Sequence, residues 1–214
     1  MRMLLPMPGN EAMAASLPVV ASRVDGILVP GGFGERGIDG KIRAVTYARL
    51  KRVPFLGLCL GLQVAVIEFA RNVMGLDGAS STEFSPRPKH PVIDLMEAQK
   101  LRKQLGGTMR LGAFTCRLKP GSLAHKIYGK PKIRERHRHR YEVHSDYVAR
   151  LNRGGLATPG ADESTGLVEI VEIPAHPFFI GVQFHPEFLS WPLAPHPLFK
   201  SFVGAAVAAR PVKK

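Results

Sequence analysis

Gly57-Leu58-Cys59-Leu60-Gly61 joins an apolar run, Pro54 to Leu58, to a helical pattern that starts at Leu60, continues to Met74 and stops at Gly75. A short buried strand turning directly into a helix around a nucleophilic side chain, with glycine two places to either side, is the cysteine form of a nucleophile elbow. The demand is steric: the turn is sharp, and close packing around it leaves no room for side chains at the flanking positions. Upstream, Val24 to Val29 reads as another buried strand, ending at Pro30-Gly31-Gly32, and Ile38 to Lys51 has helical character. Apolar β-branched runs alternating with longer helical patterns indicate parallel strands joined by helical crossovers, so the class is α/β.

Downstream of Gly75 the chain turns polar and rich in Ser, Pro and Gly as far as Pro91, which reads as a loop region with functional potential. Asp94 to Leu105 has the pattern of a short helix before Gly106-Gly107. Met109 to Leu118, Ile133 to Val143 and Gly166 to Ile173 mix strand-like runs with polar residues, and Phe178 to Phe184 is a last buried strand. His196 to Ala209 reads as a closing helix and Arg210 to Lys214 as a frayed basic end. The expected architecture is a mostly parallel central sheet flanked by helices, with a small antiparallel annex.

The 214 residues suit one domain, and 45% hydrophobic content excludes a disordered chain. No stretch approaches the roughly 18 consecutive apolar residues of a membrane span. The apolar start Met3 to Met7 is interrupted at Pro6, Pro8 and Gly9, too early for a secretory signal, and a cytoplasmic location is expected. Cys59 and Cys116 are read as free thiols. The formal charge of +13 fits a nucleic-acid partner or a polyanionic ligand, and charge alone does not choose.

The helix that opens after Cys59 places unpaired N–H groups near the sulfur, which favours thiolate; the bland alternative is a core cysteine packed as a small hydrophobe. Cys116 lies in a strand-like run with no turn beside it and reads as structural. A thiolate attacking an amide needs a base and oxyanion donors. His185, just past an apolar strand, with Glu187 two residues on, fits a base and its orienting carboxylate, with Pro186 restricting the turn; alone, His185 reads as a capped strand-end histidine. The oxyanion donors are expected from Gly31-Gly32-Phe33-Gly34 and from the Leu60 N–H, since a phosphate-loop pattern or a complete dinucleotide fingerprint is missing.

Pro30-Gly31-Gly32, then Gly57-Leu58-Cys59-Leu60-Gly61-Leu62-Gln63, then Gln183-Phe184-His185-Pro186-Glu187-Phe188 resemble, in order, the three signatures of class I glutamine amidotransferases. Asn72 to Phe84 with its Ser81-Thr82-Glu83-Phe84 end, Gly106-Gly107-Thr108-Met109-Arg110-Leu111-Gly112, and Glu135 to Val143 narrow the resemblance to the glutaminase domains of the CTP synthase family, over about Val24 to Phe202. The resemblance implies a Cys59, His185 and Glu187 triad that releases ammonia from L-glutamine through a glutamyl thioester. It places Gly32 and Leu60 at the oxyanion and Gln63, Glu83 and Arg140, with Gly32 and Leu60, around the substrate. A carboxylate for the α-ammonium and a guanidinium for the α-carboxylate suit that assignment. It also matches Arg110 to a contact with GTP as activator.

The glutaminase reaction itself implies no cofactor or metal; in this family ATP and Mg belong to a synthetase domain that amidates UTP, acting in cis or in trans in a complete enzyme that is expected to be a homo-oligomer. That domain is absent here. Residues 1–22 match nothing convincing, 23–205 carry the amidotransferase domain, and 206–214 form a basic tail. The resemblance further implies that a first strand and its crossover are missing ahead of Val24, leaving an unpaired sheet edge. Arg134 to Arg140 reads as lining the glutamine site and its approach rather than as a nucleic-acid patch, and neither nucleic acid nor membrane is expected as a partner. The rival readings are another class I amidotransferase or a γ-glutamyl hydrolase, and a catalytically silent basic binding module.

Overall fold

The computed structural model describes residues 3–4, 24–95 and 109–210. Their order is β1 (Met3–Leu4), β2 (Gly26–Val29), α1 (Ile38–Lys51), β3 (Phe55–Leu58), α2 (Leu60–Asn72), β4 (Ala79–Ser81), β5 (His90–Leu95), β6 (Arg110–Leu118), α3 (Leu123–Tyr128), β7 (Lys132–His139), β8 (Tyr141–Val143), α4 (Ser145–Gly154), β9 (Ala157–Asp162), β10 (Val168–Glu172), β11 (Phe179–Val182), a 3-10 turn (Pro186–Leu189) and α5 (Pro197–Ala208). Eight strands form one sheet in the order β1-β2-β3-β11-β10-β9-β6-β7. From β1 to β11 every pairing is parallel, and from β11 to β7 every pairing is antiparallel.

The antiparallel part is therefore as large as the parallel part and continuous with it, which corrects the expectation of a mostly parallel sheet with a small annex. A separate three-stranded sheet, β4-β5-β8, was not foreseen. Two of its strands fall in or beside the stretch read as loop, and Asp94 and Leu95, assigned to a helix, close β5 instead; the rest of that assignment lies outside the described residues.

Successive residues of the central strands serve opposite faces. Phe55 joins the core under α1 and α2, while Leu56 and Leu58 join Ile180, Val182, Leu198 and Phe202 on the face covered by α3 and α5. Helix α2 is buried without a break from Leu60 to Ala70, because the main sheet, α1 and the small sheet enclose it. Its Glu68 is held by a two-pronged bond from Arg49 of α1, at 2.7 and 3.0 Å.

At the outer edge, Met3 and Leu4 run parallel to β2, opposite Gly26 and Ile27. The Val24 strand thus has a neighbour along part of its length, which corrects the expectation of an unpaired edge. At the other end α5 runs to Ala208 with Ala206 buried, and Arg210 Nε bonds Asp25 Oδ2 at 2.9 Å.

Candidate active site

The elbow is built as its glycines require. A Cβ on Gly57 would lie 2.7 Å from the carbonyl of Gly61, and a Cβ on Gly61 would overlap the Val29 carbonyl oxygen, so α2 can start directly against β2 and β3 only with glycine at both positions. Cys59, between them, has φ 49° and ψ −99°, a conformation that side chains rarely adopt and that marks stored strain. It is held there by its own N–H, which donates to Val182 O at 2.7 Å, and by its carbonyl, which accepts from Leu62 N at 3.1 Å.

His185 follows β11, the strand at which the sheet changes from parallel to antiparallel, and its N–H donates to Arg136 O of β7 at 2.8 Å. Its Nδ1 lies 2.6 Å from Glu187 Oε1. A carboxylate only accepts, so the proton resides on Nδ1 and Nε2 is left with a lone pair. That Nε2 is buried and has no partner among the described residues. The ring stacks on Phe188 with centroids 5.0 Å apart. Gly31 sits between base and nucleophile: a Cβ there would meet His185 Cε1 at 2.8 Å and Cys59 Cβ at 3.6 Å.

The sulfur does not show the ease of ionisation expected from the helix start. Burial, with Cys59 only 2% exposed, pushes its thiol up to about 12. The Leu60 N–H and the Gln183 amide pull the other way, and the Glu187 and Glu83 carboxylates add to the rise. The resting group is a thiol, because one helix terminus does not offset the loss of water around a buried anion.

Glu83 accepts from the Gly34 N–H at 2.8 Å and lies within electrostatic reach of Arg140, while burial raises its carboxyl. Arg140 Nε is buried and without a partner among the described residues. Gln63 Nε2 donates to Tyr141 O at 3.0 Å and to Gln183 Oε1 at 3.4 Å, so its amide is engaged within the protein. Gln183 is a residue that sequence reasoning quoted but gave no role; a polar side chain inside the apolar run Phe178 to Phe184 was the signal.

Arg110 stands elsewhere. It is 8% exposed, and its guanidinium bonds Glu169 at 2.5 Å and Asp162 at 2.6 Å, with Glu142 at 3.5 Å. In this arrangement the guanidinium that the resemblance matched to a GTP contact is engaged by three carboxyl groups of the protein itself. The run Arg134 to Arg140 divides by strand alternation: Arg134, Arg136 and Arg138 are exposed, and His137 and His139 turn inward. Of that run, Arg140 is the residue that reaches Glu83. Cys116 is buried on β6, apart from the elbow, and its thiol is pushed up by burial and neighbouring carboxylates. Among the described residues no His, Cys, Asp and Glu group is arranged to hold a metal, and no helix is long and apolar enough to cross a membrane.

Residues 7–205 match the family model described as glutamine amidotransferase class-I. A CTP synthase of Symbiobacterium thermophilum is 58% identical over 205 residues, covering 96% of this chain and 38% of that protein. A CTP synthase of Thermus thermophilus is 58% identical over 200 residues, covering 91% of this chain and 36% of that protein. The chain thus spans little more than a third of the length of these relatives. The structure described as the Trypanosoma brucei CTPS glutaminase domain with bound acivicin superposes with a TM-score of 0.85 at 42% identity, covering 95% of this chain and 78% of that one. The elbow, the histidine and carboxylate beside it, and these likenesses together place the chain in the class I glutamine amidotransferase family, among the glutaminase domains of CTP synthases.

Proposed function

We propose that this chain hydrolyses the side-chain amide of L-glutamine at Cys59 and delivers the ammonia to the synthetase portion of a CTP synthase, where UTP is converted to CTP with ATP and Mg. The observation that carries the reading is the strained Cys59 set beside a histidine whose Nε2 lone pair is free and whose Nδ1 is fixed by Glu187. Glu83 receives the substrate's α-ammonium and Arg140 its α-carboxylate, which places the amide over the elbow. As Sγ bonds to the amide carbon, the thiol proton passes to His185 Nε2, and the N–H groups of Gly32 and Leu60 hold the oxyanion.

The pair then runs in reverse. His185 returns the proton to the leaving nitrogen, the C–N bond breaks, and ammonia departs from the glutamyl thioester. Water, deprotonated by His185, adds to the thioester; the C–S bond breaks, glutamate leaves and the sulfur regains its proton. Because the buried thiol resists ionisation, transfer to His185 accompanies attack and no standing thiolate is needed. The complete enzyme supplies the homo-oligomer and the cytoplasmic setting.

Ammonia release from glutamine tests the reading. Cys59→Ala falls at least about 10³-fold with its melting transition intact, while Cys116→Ala stays within about twofold of the parent. Full ammonia release by Cys59→Ala would remove Cys59 from the mechanism.

A further inference from the structure

Gln183 is completely buried immediately after β11, one residue beyond the carbonyl that fixes the Cys59 backbone. Its side-chain Nε2 lies 3.7 Å from Cys59 Sγ. The amide can face only one way. Gln63 Nε2 bonds the Tyr141 carbonyl, which can only accept, so that nitrogen is a donor and offers its other N–H to Gln183 Oε1. With its oxygen so engaged, Gln183 turns its NH2 group toward the sulfur. Its backbone is pinned in turn, the N–H donating to Glu169 O at 2.8 Å.

We propose that Gln183 is a further catalytic residue, a side-chain donor to the reacting sulfur, with Gln63 as the positioning residue that orients it. A thiol or thioester sulfur is a weak acceptor and a thiolate a strong one, so the bond strengthens as negative charge develops on Sγ and again when the thioester expels it. The need is evident from the surroundings: Glu187 and Glu83 disfavour an anionic sulfur, and the Leu60 N–H is the other donor that opposes them. The chain of bonds from Tyr141 through Gln63 and Gln183 to Cys59 also ties the nucleophile to the strand that begins one residue after Arg140.

This inference rests on the reading of Cys59 as the nucleophile, and its test separates it from the hydrolysis reading. In a Cys116→Ala background, the rate of iodoacetamide modification of Cys59 is followed against pH by intact mass, alongside kcat and KM for glutamine and thermal melting. Gln183→Met, similar in length but without a donor, slows modification about tenfold below the thiol's titration and moves the pH profile upward by about one pH unit. It lowers kcat about tenfold and leaves KM within about twofold. Gln63→Met shifts the profile the same way by less. Gln183→Glu, nearly isosteric, replaces the donor with an acceptor and serves if the Met variant does not fold; its modification slows more. A folded Gln183 variant with the parent's modification profile would overturn the proposal. A profile that depends on Gln183 in a chain that releases no ammonia would keep Gln183 as a donor to the sulfur and overturn its catalytic role together with the hydrolysis reading.

Discussion

In the parallel half of the sheet, β2, β3 and β11 bury Ile27, Val29, Phe55, Leu56, Ile180 and Val182 between two layers of helices. In the antiparallel half, β6, β7, β9 and β10, with β8 of the small sheet, bury Arg110, His137, His139, Glu142, Asp162 and Glu169. The first half is stabilised by volume and close approach; the second sets a buried charged cluster beside apolar packing from Cys116, Leu118, Ile133, Ile170 and Val171. Asp162, bonded by Ser164 and Thr165 and facing Arg110, is held down to about 2 and supplies the counter-charge. Burial drives Glu142 up to about 8 and Glu169 up to about 7.

Burial also lowers His137 to about 2 and His139 to about 3, keeping both neutral. Their protons can then be traced. His139 Nδ1 donates to Tyr141 O at 3.2 Å, its Nε2 accepts from His137 Nδ1 at 3.0 Å, and His137 Nε2 lies 3.4 Å from Glu169 Oε2 with no hydrogen bond between them. The difference between the halves places the site: Cys59 comes from the half fixed by packing, and His185 leaves the seam strand and bonds the half that holds the charged cluster.

The largest expected effect sharpens this contrast. Arg110→Met removes the cation from a buried cluster and costs about 3–5 kcal/mol of folding stability, measured by denaturant unfolding. A variant as stable as the parent would show that the cluster does not depend on charge balance. In the packed half, Gly61→Ala drives a methyl into the Val29 carbonyl and costs about 2–3 kcal/mol, with no dependence on pH. Stability unchanged by that methyl would break the claim that close approach dictates the elbow.

The smallest effect is a pH slope. Groups raised on folding, Glu142 and Glu169, stabilise fully below their unfolded value near 4.5, and that contribution is lost as pH rises through about 7 and 8. Groups lowered on folding, His137 and His139, stabilise above 6.5 and lose that contribution as pH falls below it. Between about pH 4.5 and 6.5 the two pairs oppose each other, so the cluster's contribution is level there and declines on either side. Chemical denaturation across this range should show stability falling by about 1 kcal/mol per pH unit above pH 6.5. The double variant Glu142→Gln, Glu169→Gln should lose that alkaline decline; its persistence would assign it to other groups.

Legibility followed the same division. Apolar runs and glycines are local signals, so β2, α1, β3, α2, β11 and α5 could be placed from sequence to within a few residues, as could the elbow and the order of Cys59, His185 and Glu187. In the antiparallel half, β7 alternates Lys132, Arg134, Arg136 and Arg138 outward with Ile133, Glu135, His137 and His139 inward, so charged residues occupy both faces and polarity does not reveal the buried one. Arg110 was matched to a GTP contact through the family resemblance, the run Arg134 to Arg140 was read as lining the glutamine site and its approach, and α3, α4, β4 and β9 were passed over.

Sequence by itself determined the parallel βαβ frame and the chemical types at the elbow, because close-packed backbone tolerates only glycine there and buried parallel strands must be apolar. Tertiary structure decided which partner each polar group has. Whether Arg110 meets carboxylates and whether Gln183 meets the sulfur depend on neighbours from 32 to 124 residues away in the chain, brought together by sheet pairing, and whether the Cys59 thiol ionises depends on the burial that this pairing imposes.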